Sequence, residues 1–233
     1  MSNIDILIDN FFIKRDKKTS NETLSLDDNN ILIPGAMNGI LYTHINYYTM
    51  KQSLIELIKQ NKEYYNFVET GCSSHGTKST LLWDKFVNLF DGKVISVDLN
   101  ELAVKEANMQ TTSKTNVVCS DSLIFLPTLK DNIDFLYLDS YDVDFLIPFK
   151  SAEHHLKEFN CIKHLLHKGS IILIDDTPCS PEWLDNGIYN SLYSKLKYTF
   201  NPEMCGKGSL VNKELEKMGA TKIMHQYQVL WII

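Results

Sequence analysis

The chain has 233 residues, 44% hydrophobic and 22% charged, enough for one large domain with a sizeable core. Its formal net charge of −6 argues against a general electrostatic grip on nucleic acid or anionic lipid, and no apolar run approaches the roughly 20 residues of a membrane span. Cys72, Cys119, Cys161, Cys179 and Cys205 form no C-x-x-C pair, and the N-terminus, interrupted by Asp5 and Asp9, lacks the basic flank and cleavage site of a signal peptide; both features predict a cytoplasmic protein with reduced thiols.

Residues 1–43 read as an N-terminal extension. An apolar segment over 1–13, helix or strand, is expected to pack on the main body, followed by a polar, periodless loop over 14–30. Ile31 to Ile33 is a brief extended piece that ends in a Pro34-Gly35 turn. The main domain, 44–233, opens with an amphipathic helix to about Lys59, marked by Ile45, Tyr48, Leu54, Ile55 and Ile58.

Residues 66–80 predict a strand (Phe67, Val68), an acid (Glu69), a glycine-bounded turn from Gly71 to Gly76, and a helix from Thr77. Such a turn can face backbone N–H groups toward a ligand. A nucleoside triphosphate would require Lys directly after the second glycine. Here Thr77 intervenes, and one residue on a helix rotates the side chain by about 100°. A dinucleotide would require Gly where Ser73 stands. Glu69 would repel phosphate but suits the cationic amino group of a methionine moiety, so S-adenosylmethionine fits best.

Further strands are expected over Lys93–Asp98, Asn116–Cys119, Ile133–Leu138 and Ser170–Ile174. Each ends at or beside an acid. Asp98 can accept both hydroxyls of a ribose or cap the next helix. Asp121 can reach an adenine amino group or cap the turn that starts at Ser122. Asp139, Asp142 and Asp144 crowd one strand end, which is costly unless a cation or proton transfer uses them. With Asp175 and Asp176 at the neighbouring tip, they suggest an oxygen cage for a hard cation. Between these tips a helix is predicted from Ser151 to His167, with His154 and His155 in its first turn and His155 on the inward stripe. Gly206-Lys207-Gly208 reads as a flexible loop with one cation, and two closing strands follow at 221–224 and 227–233.

This pattern, from about residue 45 to 233, resembles the class I S-adenosylmethionine-dependent methyltransferases, and most of all the divalent-metal-dependent O-methyltransferases of the catechol and macrolide-sugar types. The residues that carry it are Glu69-Thr-Gly71 through Gly76, Val-Asp98, Ser-Asp121-Ser, Leu-Asp139 and Asp175-Asp176. The resemblance implies an α/β fold: a doubly wound, seven-stranded, mostly parallel, Rossmann-like sheet with the last strand antiparallel. It implies that Glu69, Gly71, Ser73 and Gly76 line the methionine end, that Asp98 holds the ribose, and that Asp121 and Ser122 flank the adenine, with Asp139 at the edge of the cofactor site. It also implies that Asp139, Asp175 and Asp176 bind a divalent cation, Mg²⁺ or Mn²⁺. The chain departs from catechol enzymes in having Asp142 where they carry a lysine and Asp176 where they carry an asparagine.

The function expected is metal-assisted O-methylation of a hydroxyl on a sugar or glycan. Asp144, His155, Asp142 and His154 are candidate bases, the first two ranked ahead, and Lys207 a candidate contact to the acceptor. A metal-independent small-molecule methyltransferase and a non-catalytic partner subunit that binds S-adenosylmethionine are the alternatives. No nucleic-acid or membrane partner is expected, and a homodimer is left open.

Overall fold

The computed structural model describes residues 3–16, 24–26, 32–34, 45–72, 77–184 and 190–233. Its centre is a seven-stranded sheet. In chain order the strands are β3 (Tyr65–Thr70), β4 (Gly92–Asp98), β5 (Thr115–Cys119), β6 (Ile133–Leu138), β7 (Leu166–Ile174), β8 (Thr221–His225) and β9 (Val229–Ile232), and in space they run β5-β4-β3-β6-β7-β9-β8. Neighbours from β5 to β7 are parallel, whereas β9 is antiparallel to both β7 and β8. The expected fold class, with an inverted last strand, is the one observed. A separate antiparallel pair joins β1 (Leu24–Leu26) to β2 (Leu32–Pro34).

The apolar runs of the central strands are explained by burial on both faces. In β6, Phe135 and Tyr137 pack toward α1 (Asn3–Asp16), α2 (Tyr47–Lys59) and α3 (Ser79–Phe90), in a core with Leu54, Phe67, Trp83 and Phe86. The alternate residues Leu136 and Leu138 join Phe159 and Ile162 of α6 (Phe149–Ile162) and Val211 and Leu215 of α8 (Ser209–Lys217) on the other face. Near the β5 edge, Ala103 and Val104 of α4 (Glu101–Gln110) cover Val117 and Cys72. A short turn of helix, α5 (Ser122–Phe125), follows β5, and α7 (Asn190–Leu196) precedes α8.

The N-terminal segment is a helix and belongs to this core. Ile4, Ile8 and Phe12 of α1 are fully buried in the cluster that holds Tyr47 and Met50. Tyr47 donates a hydrogen bond to Asp9, and Lys51 pairs with Asp5 at 2.7 Å. Of the loop expected over 14–30, residues 14–16 extend α1 and 24–26 form β1; the rest, like the turn at Gly35 and the helix start at His44, lies outside the described residues.

The helix expected to reach His167 stops at Ile162. Residues 166–169 instead lengthen β7, where Leu166 pairs with Ile133 and Ser170 Oγ donates to the Ile133 carbonyl at 2.7 Å. Strand pairing there outweighs helical periodicity. All five cysteines are free, and no helix among the described residues is long and apolar enough to cross a membrane.

Candidate active site at the carboxyl edge of the sheet

Strand order reverses between β3 and β6, since the chain runs outward from β3 to β5 and then returns to build β6 and β7. Such a switch point opens a crevice beyond the strand ends. At this edge a cleft of about 110 Å³ is lined by Gly71, Asp98, Ser120, Ser122, Ser140, Tyr141 and His154, among others. Gly71 makes the crossing of the two halves tight. Its φ is +82°, and a Cβ there would stand 2.2 Å from the Asp139 carbonyl oxygen. Only glycine meets both conditions.

Asp98 lines this cleft and ties it together: its carboxylate accepts from the Cys72 N–H at 2.9 Å and the Asn100 N–H at 2.7 Å. Ser122 also lines it. Asp121 caps α5, with its carboxylate accepting from the Leu123 N–H at 2.8 Å, so the capping alternative is the one observed. Ser73 and Gly76 lie outside the described residues.

Glu69 departs from expectation. Its carboxylate is buried and turned toward α3 and β4, where it accepts from Ser79 at 2.6 Å, Thr80 at 2.5 Å, Trp83 at 2.9 Å and Ser96 at 2.7 Å. Four donors hold it away from the cleft. Burial pushes its carboxyl up to about 7 despite these bonds.

The base candidates separate by position. Asp142 is exposed, and Asp144 is an exposed turn cap whose carboxylate accepts from the Leu146 N–H at 2.9 Å. His155 is fully buried; its Nδ1–H donates to the Ser151 carbonyl at 2.7 Å, while Nε2 has no partner among the described residues. Burial lowers its pKa to about 4, so the ring is neutral. His154 alone of the four lines the cleft.

His154 rests on a residue that sequence reasoning passed over. Glu158, one helical turn on, is fully buried and meets His154 Nε2 at 3.1 Å, Ser140 Oγ at 2.7 Å and Thr70 Oγ1 at 3.0 Å. Burial opposes ionisation, but hydrogen bonds from His154, Ser122 and Ser140 overcome it and lower the carboxyl to about 2. An ionised Glu158 accepts the Nε2–H of His154, which leaves Nδ1 as the basic nitrogen. Ser122 Oγ lies 3.3 Å from the same Nε2, and the Tyr141 ring packs against the imidazole with centroids 5.4 Å apart. The i, i+4 spacing of His154 and Glu158 was the available signal.

Asp139, Asp175 and Asp176 do converge: one carboxylate oxygen from each lies within 4.8 Å of the others. Hard-cation sites are built from such oxygens. The cationic place, however, holds Lys207, whose ammonium is 2.5 Å from Asp139 and 2.9 Å from Asp176. Lys207 is 1% exposed rather than a loop charge reaching for an acceptor. Asp175 accepts from Gln228 at 2.9 Å and Asn46 at 3.3 Å, and Tyr227 donates to Asp176. Burial, with the charges of Asp139 and Asp176, pushes Asp175 well above the carboxylate range. Burial also opposes ionisation of Asp176, but Lys207 and Tyr227 hold it below its ordinary value. With the ammonium seated on two of its three carboxylates, this donor set does not fit a divalent cation as it stands.

A second, mostly apolar groove of about 750 Å³ lies between α1 and α3, lined by Ile6, Leu7, Phe11, Leu81 and Leu89 among others; it contains none of the expected site residues.

No family model and no curated protein matches the sequence. Among solved structures, the O-methyltransferase NovP is similar with a TM-score of 0.53 at 13% identity, over 79% of this chain and 77% of that one. The MycE methyltransferase of the mycinamycin biosynthetic pathway, solved with Mg and SAH, gives 0.54 at 13% identity, over 84% of this chain and 50% of MycE. LepI in complex with SAM gives 0.50 at 16% identity, over 77% and 46%. At these identities the likeness is one of fold, and the fold is the Rossmann-like one found in methyltransferases.

Proposed function

We propose that the chain is an S-adenosylmethionine-dependent O-methyltransferase acting on a small-molecule hydroxyl, with a sugar or glycan as the acceptor class. The observation that carries this reading is the cleft at the strand switch point, where Asp98, Ser122 and a carboxylate-oriented His154 meet around Gly71. NovP is an O-methyltransferase and MycE was solved with SAH, the product that S-adenosylmethionine leaves after giving up its methyl group, which supports oxygen as the methylated atom and S-adenosylmethionine as the donor.

Asp98 is the residue for the ribose: each of its oxygens uses one lone pair on a backbone N–H and keeps another for a hydroxyl. The donor, when bound, supplies an electrophilic methyl group for in-line displacement, so the protein's task is chiefly alignment. An aliphatic hydroxyl is a poor nucleophile at neutral pH and needs a base. His154 serves as that base through Nδ1, and the buried Glu158 charge stabilises the imidazolium that forms.

Calorimetry with S-adenosylhomocysteine tests the first half of this reading, and methyl transfer to a panel of sugars and catechols tests the second. A single saturable site that weakens in Asp98→Ala is expected. Absence of any binding to the full chain would remove the proposal.

A further inference from the structure

The acid cluster at the tips of β6 and β7 carries its own cation. The Lys207 ammonium sits on Asp139 and Asp176 at 2.5 and 2.9 Å, within hydrogen-bonding distance of oxygens that a metal would also need. Mg²⁺ requires such oxygens at about 2.0–2.1 Å and usually keeps several waters. An ion bound that way would stand in contact with a like charge, in a cluster where Asp175 is 7% and Lys207 1% exposed.

The lysine is fixed by its backbone. Gly206 has φ +81°, and a Cβ there would lie 2.1 Å from the Asp176 carbonyl oxygen and 2.7 Å from Thr177 Cα, so glycine lets this segment cross the end of β7 in contact. The Lys207 N–H donates to that same Asp176 carbonyl at 3.0 Å, and the Gly208 N–H donates to Thr177 Oγ1 at 2.8 Å. Asp176 itself is held at φ +41°, which turns it back toward the lysine's segment. The outer faces of the carboxylates are also occupied, by Gln228 and Asn46 on Asp175 and by Tyr227 on Asp176. Swinging the ammonium out would leave buried carboxylates uncompensated, a strongly unfavourable arrangement.

We propose that Lys207 is the resident cation of the Asp139–Asp175–Asp176 cluster, taking the place of a divalent metal, and that the protein works without a metal ion there. Lys207 is thus a positioning residue. It ties the tip of β6, which abuts Gly71 of the cleft, to the tip of β7. The inference rests on the cluster alone, so a failure to bind S-adenosylhomocysteine would leave it standing.

The test is Mn²⁺ titration of the full chain, followed by electron paramagnetic resonance of the free ion and by calorimetry. The parent protein is expected to show no site tighter than about 1 mM, a value near the weak end of protein cation sites. Lys207→Met removes the charge at similar length and should gain a Mn²⁺ site at least about tenfold tighter, with a melting temperature that rises on adding the ion. A tight Mn²⁺ site in the parent that is lost in Asp175→Asn overturns the proposal. So does a folded Lys207→Met that gains no Mn²⁺ affinity. Should Lys207→Met fail to fold, the parent titration decides alone, and 5 mM EDTA leaving the parent's melting temperature unchanged is the supporting result.

Discussion

The imidazole of His154 and the carboxylate of Glu158 are 3.1 Å apart on successive turns of α6, one at the cleft and the other fully buried. A buried anion beneath a ring at the cleft wall fixes both the tautomer and the tilt of that ring. The pair is the most specific chemical arrangement at this edge of the sheet.

His154→Gln is therefore expected to lower methyl transfer by about 10²–10⁴, the range for loss of a general base, while leaving S-adenosylhomocysteine affinity within a few-fold. Glu158→Gln should lower it less, because the imidazolium loses its anion. Steady-state kinetics across pH measures both. Undiminished turnover in His154→Gln would remove the base assignment.

Glu158 also has a signature in stability. Its pKa is lowered from 4.5 to about 2, so its stabilising contribution is complete above about 4.5 and is lost as pH falls toward 2. Urea unfolding of Glu158→Gln and the parent should converge through that window. Parallel curves would mean that the carboxylate is not held ionised in the folded state.

Glu69 acts in the opposite sense. Its folded pKa is raised from 4.5 to about 7, so the folded protein holds a proton that the unfolded chain releases between those values. Its contribution falls as pH rises from 4.5 to 7, by about 3 kcal/mol in all. Glu69→Gln can accept from Trp83 or a hydroxyl and donate to another hydroxyl, so its stability relative to the parent should rise by that order between pH 4.5 and 8. Differencing against the parent cancels the opposing contributions of His155 and His225, both lowered to about 4 by burial. A difference that does not change with pH would contradict the account.

Ile8→Ala tests whether α1 is part of the domain or an appendage. Ile8 is fully buried against the α2–α3 side of the core, and truncating such a residue costs about 2–5 kcal/mol. Equilibrium unfolding should show one transition at lower denaturant. A loss below about 0.5 kcal/mol, the level of an ordinary surface substitution, would mark α1 as dispensable.

Much of the edge was legible because parallel strands announce themselves as apolar runs that stop at acids. Val97-Asp98 and Leu138-Asp139 do so, and the tip residues land on one rim of the sheet. The directions of the side chains were not legible. Glu69 turns away because Ser79, Thr80, Trp83 and Ser96 together offer it four donors, and none of the four is distinctive alone. The burial of Lys207, in sequence a candidate contact to the acceptor on a flexible loop, was not legible because its insertion depends on Gly206 touching a strand end 30 residues earlier in the chain, at Asp176. The end of α6 escapes the sequence for a related reason: residues 163–168 keep an amphipathic pattern, but 163–165 tighten into a 3-10 turn and the pairing of Leu166 with Ile133 draws the rest into β7.

The seating of α1 has a consequence for how the chain is made. Ile4, Ile8 and Phe12 are translated ahead of the elements that cover them, α2 and α3, the second of which ends at Phe90. This helix must therefore wait, with its oily side bare, until those elements have been synthesised. Chaperone capture and protease sensitivity of nascent chains should concentrate on α1.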